Sequence, residues 1–159
     1  MDDKLQAFID FIITCPQIRD NPLFFNFIQA KDNNKQLVTS ASDRSIEKPY
    51  IDGSVMKRFT YTIIDYRSIA YQALVKLEGY ANENVEEYLD VQSIVDWIEE
   101  QNDANNYPNF GSDCIIESMR TTSSTPNLNG VDTSLTPALA KYSIAIQIDY
   151  IDNSKKLFN

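Results

Sequence analysis

Apolar residues recur along this chain with two different periods, and the changes of period predict its elements. Near the start, Leu5, Phe8, Ile9, Ile12 and Ile13 fall at i, i+3, i+4, i+7 and i+8, the stripe of an amphipathic helix. Asp2 and Asp3 put negative charge where the helix dipole favours it, and Pro16 stops the helix by forcing the residue before it out of the α region. An aromatic-rich run over 23–31 reads as a strand, with Leu23, Phe25 and Phe27 on one face. Asp32, Asn33, Asn34 and Lys35 are turn chemistry, from which 36–40 returns as a second strand.

The period is clearest further on. Over 55–64, Phe59, Tyr61 and Ile63 alternate with Arg58, Thr60 and Thr62, as a half-buried strand requires. The stretch 67–80 reads equally as a strand extension or a short helix. A long helix is expected over 85–102, capped by Asn82 or Asn84, with Glu86 and Glu87 in its first turn. Tyr88, Val91, Val95 and Ile98 form its stripe, widened by Leu89, Ile94 and Trp97, and Asn105, Asn106, Pro108 and Gly111 end it. Trp97 is expected in the core, against Phe59 or Tyr142. A strand follows in which Ile115, Glu117 and Met119 alternate with Cys114, Ile116 and Ser118. In the last strand Tyr142, Ile144, Ile146, Ile148 and Tyr150 share a face.

Two polar stretches interrupt these elements. The segment 41–54 carries Asp43, Arg44, Glu47, Lys48 and Pro49, and 122–137 is rich in Ser, Thr, Asn and Pro, with Asn129-Gly130 as a turn pair. Both exceed the about 4–6 residues usual for a connection and are expected to project as loops that touch a partner. The order α-β-β-β-α-β-β predicts an α+β fold, a single domain over 1–159. A mainly antiparallel sheet is expected to carry an N-terminal helix and one long helix.

Composition narrows the chemistry. The chain has 159 residues, 43% of them hydrophobic, a formal net charge of −9 and no histidine. Missing histidine excludes Ser-His-Asp and Cys-His catalysis, His-ligated zinc and a pH switch near neutrality. The negative charge argues against specific nucleic-acid binding, which needs Lys and Arg on phosphates. Cys15 and Cys114 lack CxxC spacing and are expected as buried, reduced thiols. The acidic start has no signal-peptide pattern and no run is long enough to span a membrane, so the expected compartment is cytoplasmic.

Candidate sites weaken on inspection. Glu86, Glu87, Asp90, Glu99 and Glu100 read as the solvated face of the long helix rather than a hydrolytic carboxylate pair. The stretch 103–113 faintly echoes a calcium loop but lacks its ligand spacing. Gly53, Gly79, Gly111 and Gly130 form no phosphate-binding pattern. Lys57-Arg58 and Lys155-Lys156 read as solubilising surface. No catalytic, cofactor or metal residue is therefore expected, and the chain is not expected to be an enzyme.

Four stretches together carry a resemblance. They are Phe11-Ile12-Ile13-Thr14-Cys15-Pro16; Tyr50-Ile51-Asp52-Gly53 leading to Phe59-Thr60-Tyr61-Thr62; Trp97-Ile98-Glu99 running to Asn106-Tyr107-Pro108; and Ala140-Lys141-Tyr142-Ser143-Ile144 through Tyr150. From about Leu5 to Ile151 the chain resembles small proteins from the tail-morphogenesis region of phages and prophages of Gram-positive bacteria. That family of minor structural, or minor capsid, proteins looks related to tail terminators. The resemblance implies a tail-terminator-like fold and a homo-oligomeric ring, a hexamer, that caps the tail tube. The implied partners are the tube protein, a neck or head-connector protein, and a sheath protein if the tail is contractile. It also implies assembly in the host cytoplasm before incorporation into a virion or phage-tail-like particle. An acidic lumen would let DNA pass without gripping it. The family has no active site to carry over. The regions expected to reach a neighbouring subunit or the tube are Tyr50, Ile51, Asp52 and Gly53 in the first loop, and Asn127, Asn129, Gly130 and Asp132 in the second. The alternatives are a head-completion or stopper protein of the same neck and, in a different class, a monomeric cytosolic binding module with an acidic ligand site.

Overall fold

The computed structural model describes residues 3–19, 23–25, 35–39, 48–69, 78–132, 134 and 138–157. Its elements are helix α1 (Asp3–Ile12), helix α2 (Pro16–Arg19), strands β1 (Leu23–Phe25), β2 (Lys35–Thr39), β3 (Lys48–Pro49) and β4 (Val55–Ile69), helix α3 (Glu78–Asp103), and strands β5 (Cys114–Thr121), β6 (Asn127–Asp132) and β7 (Ala138–Asp152). The fold is α+β, helices over a mainly antiparallel sheet, with α2, β3 and β6 added to the order expected from sequence.

The sheet is built on β4 and β7. Each has 15 residues, and they pair antiparallel without a break, from Val55↔Asp152 to Ile69↔Ala138. At about 3.4 Å per residue this pair is about 50 Å long. Its alternation decides the core. Phe59, Ile63, Tyr142, Ile144, Ile146, Ile148 and Tyr150 are buried on one face, beneath Val91, Ile94, Val95 and Ile98 of α3 and Leu5, Phe8 and Ile12 of α1. Strand 55–64 thus continues to Ile69, and residues 70–77 of the ambiguous stretch lie outside the described residues.

Each long strand has a broken companion on its free side. β2 and then β3 run antiparallel along β4, while β5 and then β6 run antiparallel along β7. The polar stretches therefore do not simply project. β6 lies along β7, leaving 122–126 as the excursion, and Lys48–Pro49 closes a tight hairpin with β4; residues 40–47 lie outside the described residues. β1 pairs parallel with β2, whereas a direct return through the predicted turn would pair them antiparallel. A parallel pair needs a crossover rather than a two-residue turn; residues 26–34, including that turn and the distal part of the first predicted strand, lie outside the described residues.

Other expectations shift for identifiable reasons. α1 ends at Ile12, leaving Ile13 43% exposed, and Cys15 fills the core in its place. Pro16 begins α2 instead of merely ending α1, since proline suits a first helical position, and α2 buries Ile18. α3 begins at Glu78, so Asn82 and Asn84 lie inside it rather than capping it. The modest helix penalty of asparagine is easily outweighed once a long helix is propagating. Its end is as expected: Asn105 takes φ +53°, and the N–H groups of Asn105 and Asn106 bond to the carbonyls of Asn102 and Gln101. Leu89 is 53% exposed rather than part of the buried stripe. Trp97 is partly buried, and its ring packs on Phe11 of α1 at 5.2 Å rather than on Phe59 or Tyr142. In β5 a bulge at Glu117 breaks the expected alternation. Ile116 and Met119 consequently share the core face, while Ile115 turns outward.

Candidate interaction surfaces

The first predicted segment forms the β3–β4 turn. The Tyr50 N–H donates to the Ser54 carbonyl at 2.9 Å, and the Gly53 N–H donates to the Tyr50 carbonyl at 3.1 Å. Asp52 Oδ1 accepts from the N–H and hydroxyl of Ser54 at 3.0 and 2.6 Å, which holds its carboxyl below the ordinary range. Gly53 has φ +88°, and a Cβ there would lie 2.4 Å from the Lys155 carbonyl oxygen. Glycine is thus required both by the backbone and by the C-terminal tail packed against the turn, where the Leu157 N–H donates to the Asp52 carbonyl.

With its backbone satisfied, the turn presents apolar side chains to solvent. Ile51 is 98% exposed, Leu157 71% and Tyr50 41%. Ile115, 53% exposed, pairs with Ile151 at the same end of the sheet, and Tyr50 Oη lies 3.9 Å from Met56 Sδ. Lys48, Lys155 and Lys156 are exposed around this tip, Lys156 only 3.9 Å from Asp52 Oδ2. Sequence reasoning found the turn but not the patch, whose members come from four separate stretches.

The second predicted segment is β6, exposed at every position. Asn127 pairs with Ser143 and Asp132 with Leu139, and a bulge at Asn129 precedes Gly130, whose φ is +147°. Asp132 Oδ1 accepts from the N–H and hydroxyl of Ser134 at 3.0 and 2.6 Å, again depressing the carboxyl. Leu128 and Val131, absent from the sequence expectations, are 57% and 38% exposed here. The amide of Gln92 on α3 donates to the Ser124 carbonyl at 3.0 Å, tying the 122–126 excursion to the helix. The tip and β6 are not brought together. They occupy opposite ends of the central strand pair.

Several charges read as solvated surface are structural. Arg67, buried on the helix side of β4, holds Asp65 through Nε and Nη2 at 3.1 and 3.0 Å. Its Nη1 reaches Glu87 at 3.3 Å and also pairs with Asp90, so these two carboxylates of α3 are not simply its solvated face. Burial opposes the Arg67 charge, yet Asp65 and Asp90 outweigh it and raise the pKa. On the other face, Arg58 grips Asp149 at 2.7 and 3.1 Å, while Lys57, on the helix side like Arg67, meets Asp152 at 3.0 Å. The Lys57-Arg58 pair thus fastens β4 to β7 instead of only solubilising the surface. Apart from Asp65 and Arg67, no local period announces such pairs, because the partners lie far apart in sequence.

Among the described residues no group of three His, Cys, Asp or Glu side chains is placed to hold a metal ion. An open groove of about 490 Å3 runs between α1 and the loop after α3, lined by Asp10, Phe11, Thr14, Tyr107 and Asn109 among others. Burial raises the Tyr107 phenol, whose hydroxyl donates to Asn102 Oδ1 at 2.9 Å. Cys15 is buried, whereas Cys114 is only partly so; both are free thiols, and burial raises the Cys114 pKa. No helix among the described residues is long and apolar enough to cross a membrane. No protein-family model matches the chain, and comparison with curated proteins gives no match.

Proposed function

We propose that this chain is a structural subunit of a phage tail or phage-tail-like particle, a tail terminator whose ring caps the tube and joins it to the neck or head connector. The observation that carries the reading is the pair of exposed surfaces, the Tyr50–Gly53 turn and β6, at opposite ends of one continuous strand pair. A tail ring subunit needs separate contact surfaces held at fixed positions, because heterologous contacts join different patches around the ring while others meet the tube or neck. The resemblance of the four sequence stretches to tail-region proteins supplies the particle. On this reading the chain performs no catalysis, and its partners are further copies of itself, the tube protein and the neck.

The test is made in a strain that produces the particles. Removing the chain should leave tails of irregular length that fail to join heads or neck, seen by electron microscopy, and supplying it in trans should restore uniform tails. Uniform, fully joined tails without the chain would overturn the proposal.

A further inference from the structure

The apolar tip gathers three exposed lysines, with Asp52 and Asp113 nearby, in a chain that is acidic as a whole. Lys48, Lys155 and Lys156 surround Ile51, Leu157 and Tyr50, in a molecule with a formal net charge of −9. The outward face of α3 is the converse surface. Glu86, Leu89, Asp96 and Glu100 follow one helical stripe, all exposed, with Glu99 beside them. Leu89, 53% exposed, supplies an apolar point within the acidic field. One surface is apolar with a basic rim; the other is acidic with an apolar centre.

These surfaces cannot meet within one molecule. α3 packs on the face of the sheet that buries Ile144, Ile146 and Ile148, and its acidic stripe points away from it. Ile115 and Ile151 lie on the opposite face, at the far end of the strands from the β6 pairing. We propose that the lysine-rimmed tip around Ile51 docks on the acidic face of α3 of a second copy of this chain. The contact joins different surfaces, so it is head-to-tail and closes into a ring when the rotation between copies allows. Opposed rims steer the encounter and fix its register, while Ile51 and Leu157 supply the area removed from water. This deepens the ring reading above, on which its closure rests; the pairing of surfaces stands on charge and exposure alone.

Sedimentation of the full chain tests it. The wild type should run well above its 18.2 kDa subunit mass at low salt and dissociate as salt rises. Lys155→Glu with Lys156→Glu should weaken association by about tenfold or more, and so should Glu99→Lys with Glu100→Lys; combining all four should restore it. Ile51→Asp should leave circular dichroism unchanged, because the side chain touches solvent on nearly every side, yet abolish association. Normal multimers in all these variants would overturn this contact and leave the ring reading standing, as would failure of the combined reversal to restore association. A chain that stays at 18.2 kDa at hundreds of micromolar overturns the contact too, and the particle experiment then decides the tail reading independently.

Discussion

At the scale of single residues, neighbours decide what each charge does. Asp152 is paired to Lys57 and capped by Ser154, whose N–H donates to Oδ1 at 2.9 Å. Burial works against its ionised form, but the Ser154 and Lys57 contacts outweigh it and bring the pKa down to about 2. An unfolded aspartate titrates near 3.9, so the carboxylate contributes stability that is fully present above about pH 4. That contribution is lost as pH falls through the folded value near 2. Asp152→Asn should therefore lower stability at pH 7, with the deficit shrinking below pH 4 and vanishing only below pH 2. Urea unfolding across that range measures it, and a deficit that stayed constant with pH would contradict the assignment. Thr60 shows the opposite case: its Oγ1 is buried with no hydrogen-bond partner among the described residues.

Between elements, a specific tie runs from β4 to α3 through Arg67. The arginine side chain is 4% exposed and Asp65 not at all, whereas Glu87 and Asp90 reach it from the helix surface at 32% and 49% exposure. Removing the arginine strands buried Asp65 without its cation, and breaking a buried pair in this way costs about 3–5 kcal/mol. Arg67→Ala should cost that much in chemical denaturation. Asp90→Asn, made at the solvent side of the same network, should cost less than about 1 kcal/mol. Equal costs would mean that the tie is as screened as a surface pair. Among the described residues, the buried apolar side chains of the helix, Val91, Ile94, Val95 and Ile98, lie in its second half, with Tyr88 packing on Tyr142 just before them. Arg67 accordingly anchors the stretch around Glu87 and Asp90 that precedes this apolar contact.

At the scale of the whole molecule, the expectation that divalent metals and nucleotides do not bind can be tested directly. The groove beside α1 is open, and several of the described acidic side chains lie along α3 or pair with arginine and lysine. A thermal-shift screen with calcium, magnesium, zinc and nucleotides should accordingly move the transition by less than about 1 °C. A ligand present at 100 times its Kd would add about 2.7 kcal/mol to the native state, enough to see in a domain of this size. A shift of several degrees with any one of them would reopen the case for a small-molecule site.

The legible part of this protein is the part with a local period. Phe59, Tyr61 and Ile63, and Tyr142 through Tyr150, announce β4 and β7 because alternate residues must face one core. Val91, Val95 and Ile98 announce α3 in the same way. The missed features need information from elsewhere in the chain. The parallel pairing of β1 with β2 is not written in either strand's own pattern, and the outward turn of Ile115 depends on a bulge against β7. The Arg67 network joins Asp65 to Glu87 and Asp90 across two elements, and the exposed tip assembles Tyr50, Ile51, Ile115 and Leu157 from remote segments. A periodic pattern records which face of an element is buried. Only the pairing of elements decides which residues at their ends and edges are left to meet a partner.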